Sequence, residues 1–213
     1  MEIEGIEIKR LYHASFKIKK DKVIYIDPFN IDETEKADLI LLTHEHFDHL
    51  SIEDILKVID EKTIIVATND CISKLNKFDN EIKIVNPGDS LEVINIKIEV
   101  VAAYNLNKFR APGIPFHPKE DGKVGYIINL DEKRIYFTGD TDVTEELKNI
   151  KDIDIILIPV SGTYVMTPEE AAEAVNIIQP KVAIPCHYSD RIGSIEDANK
   201  LKELSKNTKV EII

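Results

Sequence analysis

The chain has 213 residues, 43% hydrophobic and 31% charged, with two cysteines and a formal net charge of −12. That length supports one sizeable core, two cysteines exclude a disulfide framework, and the acidic balance argues against a long polyanion, which needs clustered lysine and arginine. No apolar run reaches the length of a bilayer span, and the acidic N-terminus lacks a signal-peptide core, so a cytoplasmic protein without membrane contact is expected.

Residues 6–11 and 15–18 read as strands near the N-terminus. Val23-Ile24-Tyr25-Ile26-Asp27-Pro28 reads as a strand ending in an aspartate, and residues 39–42 are a second apolar run of strand length. Then comes His44-Glu45-His46-Phe47-Asp48-His49, where His44, His46, Asp48 and His49 place four metal-competent side chains in six positions. Ser51, with a carboxylate at Asp54, is a helix-start signature, so a helix over 52–59 is expected and the cluster sits on a strand-to-helix turn. Neutral imidazole and carboxylate are the donors that Zn²⁺, Mn²⁺ and Fe²⁺ accept, and close spacing on a rigid turn preorganises them. The plain alternative is a solvated polar turn, but three of the chain's six histidines are here.

Residues 63–67 form the next strand, and 94–100 alternate with the period of a strand that has one buried and one wet face. The loop 105–122 carries Pro112, Pro115 and Pro118 with Lys108, Arg110 and Lys119; it reads as a basic substrate lid or equally as a solvated loop. Residues 134–140 again make a strand ending in an aspartate, Asp140, and 153–159 make another. Thr167, Pro168 and Glu170 mark a helix start, and Ala171, Ala174, Val175 and Ile178 fall at helical spacing to face a sheet. A strand over 181–185 leads to His187, and a last helix begins at Ser194 and runs through Leu201 and Leu204.

Both halves run strand, strand, helix, strand, which predicts an internal duplication. The expected architecture is a single α/β domain over 1–213, built of two half-units at roughly 1–105 and 123–213. Two mixed sheets would pack face to face with helices outside, an αββα sandwich. Ligands belong at strand C-terminal ends, where loops converge, which makes Asp140 and His187 the next metal candidates. Taken alone, Asp140 is equally a turn carboxylate and His187 an ordinary histidine. Cys186, pointed away from His187 by strand alternation, reads as a small buried apolar residue.

His44-x-His46-x-Asp48-His49, Gly139-Asp140-Thr141 and Pro185-Cys186-His187-Tyr188 resemble the motif series of the metallo-β-lactamase-fold hydrolases. Leu11-Tyr12-His13-Ala14-Ser15-Phe16, Ile26-Asp27-Pro28-Phe29, Gly125-Tyr126 and the run from Gly162 to Pro168 extend the likeness over nearly the whole chain. They resemble the small single-domain branch that includes the L-ascorbate-6-phosphate lactonase-like proteins. The resemblance implies two divalent ions, Zn²⁺ or Mn²⁺ first and Fe²⁺ as an alternative. His44 and His46 would bind the first ion, Asp48, His49 and His187 the second, and Asp140 would bridge them. A hydroxide held between the metals would be the nucleophile, with Asp48 as the catalytic residue that orients it and takes up its proton. One departure is evident: many members supply a further histidine near 101–104, where this chain reads Ala102-Ala103-Tyr104-Asn105. His117 in the following loop is the natural substitute, Asn105 a weaker one, and His13 a candidate for substrate or an outer position. The expected reaction is hydrolysis of an ester, lactone, amide or phosphodiester bond in a small or medium substrate. The alternatives are a nucleic-acid-processing hydrolase, a non-catalytic metal-binding protein and a di-iron redox module. A homo-oligomer stays open.

Overall fold

The apolar run at Leu39–Leu42 forms a strand buried at all four positions, and its neighbour Val23–Ile26 is buried throughout as well. Strands buried on both faces have this uninterrupted apolar composition. In the computed structural model, which describes residues 1–189 and 191–213, they belong to a compact unit of Met1–Val85 with Ile213. A second unit spans Asn86–Ile212.

The first unit holds a seven-stranded sheet whose spatial order is its order in sequence. Its strands are β1 (Glu2–Ile3), β2 (Ile6–Tyr12), β3 (Ser15–Lys19), β4 (Val23–Ile26), β5 (Leu39–Leu42), β6 (Ile64–Thr68) and β7 (Ile82–Val85). The first three pairings are antiparallel and the last three parallel. Parallel neighbours need a crossover, and α1 (Ile52–Val58) supplies it between β5 and β6, α2 (Ile72–Leu75) between β6 and β7. Ser51 caps α1 by accepting from the Asp54 amide, and Ile55 and Val58 then pack with Tyr25, Ile40 and Leu42.

In the second unit β8 (Ser90–Val93) and β9 (Ile96–Ala102) come first, followed by a separate hairpin of β10 (Phe109–Ala111) and β11 (Ile114–Pro115). Then follow β12 (Val124–Leu130), β13 (Lys133–Phe137), β14 (Ile155–Pro159), β15 (Val182–Cys186) and β16 (Lys209–Val210). Without the hairpin these form a second seven-stranded sheet, again with three antiparallel pairings followed by three parallel ones. Helices α3 (Glu145–Lys148), α4 (Pro168–Ile178) and α5 (Ile195–Leu204) fill its crossovers. The capping box of Thr167 and Glu170 starts α4, whose Ala171, Ala174, Val175 and Ile178 pack with Tyr136, Ile156 and Ile158. Burying Val175 and Ile178 contributes roughly 1.5–3 kcal/mol each.

The repeat is therefore one of strand pairings as well as of element order. Sequence position alone assigns residues 94–100 to the first half. In the structure β9 pairs with β8 and β12 in the second sheet, and the second unit begins at Asn86. Among the described residues, no helix is long and apolar enough to cross a membrane.

Candidate metal centre

In the first unit the chemistry grows from two strand ends. Asp27 follows β4 in a left-handed conformation, φ 44°, and is fully buried. Its Oδ1 accepts from the Thr43 amide at 2.8 Å and its Oδ2 from the Thr43 hydroxyl at 2.6 Å, just past the end of β5. The same Oδ2 lies 2.7 Å from His49 Nδ1. Burial pushes the Asp27 carboxyl up; His49 and the two Thr43 donors oppose it by favouring the ionised form. Thr43 Oγ1, having donated its proton to Asp27, accepts from His44 Nδ1 at 2.9 Å. Both His44 and His49 are thereby fixed as Nδ1–H tautomers that present Nε2 as an acceptor.

The turn then winds so that the amides of His49 and Leu50 both donate to the His46 carbonyl. His44 Nε2 faces His46 Nδ1 at 3.0 Å, so the two imidazoles converge through different ring atoms. His46 is the exposed member, with Nε2 3.8 Å from Glu45 Oε1 and its side chain 38% accessible. Asp48 Oδ2 lies 3.7 Å from His49 Nε2 and 3.5 Å from Nε2 of the buried His13.

In the second unit Asp140 follows β13 through Thr138 and Gly139. Gly139 has φ 66°, and a Cβ there would stand 2.4 Å from the Val124 carbonyl oxygen, so the turn requires glycine. Asp140 is buried, with Oδ2 3.1 Å from His187 Nε2 and 3.4 Å from His117 Nε2. His187 leaves β15 at φ 54°, and its Nδ1 is 3.0 Å from Ser161 Oγ. His117 Nδ1 is 2.9 Å from Asn105 Oδ1, which also accepts from the His117 amide at 2.9 Å. Asp27, His13 and His187 are among the non-glycine residues at positive φ, a conformation that costs free energy and must be held by its surroundings.

This donor set fits a divalent cation. Where Asn105 or Asp27 accepts the Nδ1 proton, Nε2 of a neutral ring is itself an acceptor. His117 Nε2 beside Asp140, and His49 Nε2 beside Asp48, are then acceptors facing carboxylate oxygens at 3.4 and 3.7 Å. Such pairs repel unless a positive charge, an added proton or a metal ion, is present.

Asn105, a candidate ligand by sequence, has its oxygen filled by two N–H donors and serves as the anchor of His117. Lys108 and Lys119 of the loop are turned to internal pairing: Lys108 is buried with Asp142 and Glu170, and Lys119 joins Glu146. Cys186 is buried. The orienting roles of Asp27, Thr43 and Ser161 have no sequence motif of their own. For Asp27 the sequence signals are its place at the end of an apolar strand, like Asp140, and the resemblance carried by Ile26-Asp27-Pro28-Phe29; neither points to its orienting role.

The two mixed sheets with their helices match the αββα sandwich of the metallo-β-lactamase fold. A protein from Thermotoga maritima solved as a Zn-dependent hydrolase candidate of that superfamily superposes with a TM-score of 0.65, covering 97% of both chains at 21% identity. The model of the β-lactamase superfamily domain matches residues 7–187. The chain belongs to this superfamily of metal-dependent hydrolases. It is 33% identical to a UPF0173 metal-dependent hydrolase of Thermococcus onnurineus (strain NA1), over 98% of this chain and 95% of that one. It is also similar to the structure of a candidate metal-dependent hydrolase from Parabacteroides distasonis ATCC 8503, with 36% identity, a TM-score of 0.84, and 97% and 92% of the two chains covered.

Proposed function

We propose that this chain hydrolyses an ester, lactone, amide or phosphodiester bond of a small or medium substrate in the cytoplasm, using two divalent ions, Zn²⁺ or Mn²⁺. In this reading His44 Nε2 and His46 Nδ1 hold the first ion, and Asp48, His49 Nε2 and His187 Nε2 hold the second. Asp140 serves both, and His117 Nε2 completes the first. The observation that carries the reading is the anchoring of Nδ1 on His44, His49, His117 and His187 by Thr43, Asp27, Asn105 and Ser161. Hydrogen bonding at the second ring nitrogen is how metal-ligating imidazoles are oriented.

Divalent ions at such donors supply Lewis-acid activation of the scissile group and of water. Asp48 Oδ2 takes up the proton as water attacks, and His13 Nε2, 3.5 Å away, steadies that carboxylate. Asp27 and Thr43 keep the His44 and His49 rings fixed, so the ligands are not reorganised during turnover. Imidazole and carboxylate without thiolate suit Zn²⁺, Mn²⁺ and Fe²⁺ alike. The net charge of −12 favours a small substrate over nucleic acid.

Metal analysis of the purified protein, followed by assays on p-nitrophenyl esters, lactones, amides and bis-p-nitrophenyl phosphate, tests the proposal. Two equivalents of metal and chelator-sensitive turnover of one class are expected. Metal without turnover of any class would leave a binding protein and contradict the hydrolytic reading.

A further inference from the structure

The loop histidine His117 is held by a clasp at the neck of its loop. The Asn105 amide donates to the His117 carbonyl at 2.8 Å, the His117 amide donates to Asn105 Oδ1 at 2.9 Å, and His117 Nδ1 meets the same oxygen at 2.9 Å. Asn105 Nδ2 in turn donates to the Tyr164 carbonyl at 2.9 Å, and the Tyr164 ring stacks edge-on against Phe116 at 4.7 Å. This fixes which way the amide points. Reversed, its NH₂ would face the His117 backbone N–H and its oxygen would face the Tyr164 carbonyl. With Oδ1 towards the ring, the Nδ1 proton of His117 is required and Nε2 is directed at Asp140 Oδ2, 3.4 Å away.

Neck and tip differ sharply. Asn105 and His117 are 5% and 2% accessible, whereas Leu106, Phe109 and Ile114 between them are 54%, 48% and 44% accessible. Pro115, two residues before His117, and Pro118, directly after it, limit the backbone freedom that the clasp must overcome.

We propose that Asn105 is the positioning residue of the first metal site: its amide oxygen sets the tautomer and place of His117, which allows a loop histidine to replace the strand-end histidine missing at 101–104. Asn105 thus acts through His117 and does not itself touch metal. The hairpin tip is free to vary with the substrate because the ligand does not depend on it. The proposal rests on the metal-site reading above, yet its first readout needs no metal.

In metal-free protein carrying ¹⁵N-histidine, long-range ¹H–¹⁵N correlation reads the tautomer of each ring. Wild type is expected to show His117 as Nδ1–H. Asn105→Ala should populate Nε2–H, and Asn105→Asp, which keeps an acceptor oxygen, should restore Nδ1–H. In a Co²⁺ titration followed by visible absorption, Asn105→Ala should weaken one of the two binding events about 10–100-fold, the range for loss of a ligand's hydrogen-bond partner. Phe109→Ala with Ile114→Ala should leave both events unchanged and shift KM alone. An Nδ1–H signal for His117 that persists in a folded Asn105→Ala protein would overturn the proposal. So would equal weakening by the tip variant. Failure of the metal reading is separately visible, because His117→Ala would then leave Co²⁺ binding intact while the tautomer result stood.

Discussion

The two units are built on the same succession of strand pairings, but they carry their chemistry differently. The first concentrates His44, His46, Asp48 and His49 in six consecutive residues, with one buried hydrogen-bond node of Asp27 and Thr43 holding both His44 and His49. The second draws Asp140, His187 and His117 from three separate segments, each with its own support: a glycine turn, Ser161 and Asn105. One frame, used twice, thus supports a rigid preformed turn in one unit and an assembly of strand ends and a loop in the other. A charged anchor in the first unit and neutral anchors in the second should make their variants unequal.

The largest effect is expected at Asp140, the carboxylate proposed to serve both ions. Asp140→Asn should lower metal content by more than one equivalent and abolish hydrolysis, since a neutral amide cannot balance two dications. Metal analysis checks it, and a variant that keeps both ions would refute the bridging role. Next come His46→Ala and His187→Ala, one from each unit. Each should cost more metal affinity than the roughly 10–100-fold of an outer-shell change while leaving the far-ultraviolet circular dichroism intact. Equal retention of metal and activity in both would break the comparison at its root.

The anchors sharpen it. Asp27→Asn should weaken metal affinity about 10–100-fold, because the neutral amide holds the His49 N–H less strongly and presents an NH₂ to one of the Thr43 donors. Ser161→Ala removes a neutral hydroxyl and should cost less, about tenfold or below. Competition titration with a chromogenic chelator ranks the two, and a larger loss for Ser161→Ala would reverse the argument.

The smallest effect concerns the tie between α1 and the loop after β4. Burial of Asp54 opposes its charge, but the Lys57 ammonium, Ser51 and the amides of Ile31 and Asn30 outweigh it and hold the carboxyl below its ordinary value. A depressed folded-state value means the stabilisation is complete above the unfolded-state value of 3.8 and is lost as pH falls through the folded one. Asp54→Asn should therefore lower Tm at pH 7 by an amount worth about 1–3 kcal/mol. The gap from wild type should narrow below pH 4. A gap that is constant down to pH 2 would contradict the sign.

Much of this was legible from sequence for a physical reason: the signals were local. The run 39–42, the box at Thr167 and Glu170, and the strand ends before Asp140 and His187 are set by near neighbours. Strand β9 shows the limit. Its alternation marks a strand, yet which sheet it joins is decided by pairing with β12 across the whole loop 103–123. The site divides the same way. The six-residue turn announces itself, whereas the ring orientations depend on Asp27 reaching His49, Ser161 reaching His187 and Asn105 reaching His117. Those bonds span 22, 26 and 12 residues, and no spacing rule encodes them.

The most direct test of the account is anomalous diffraction from crystals of the full chain reconstituted with Zn²⁺ or Mn²⁺. Two anomalous peaks are predicted, one about 2.0–2.2 Å from His44 Nε2 and His46 Nδ1, the other at the same distance from His49 Nε2, His187 Nε2 and an Asp48 oxygen, with Asp140 on both. Peaks absent from these atoms, or a metal held by the Nδ1 of His49, would contradict it.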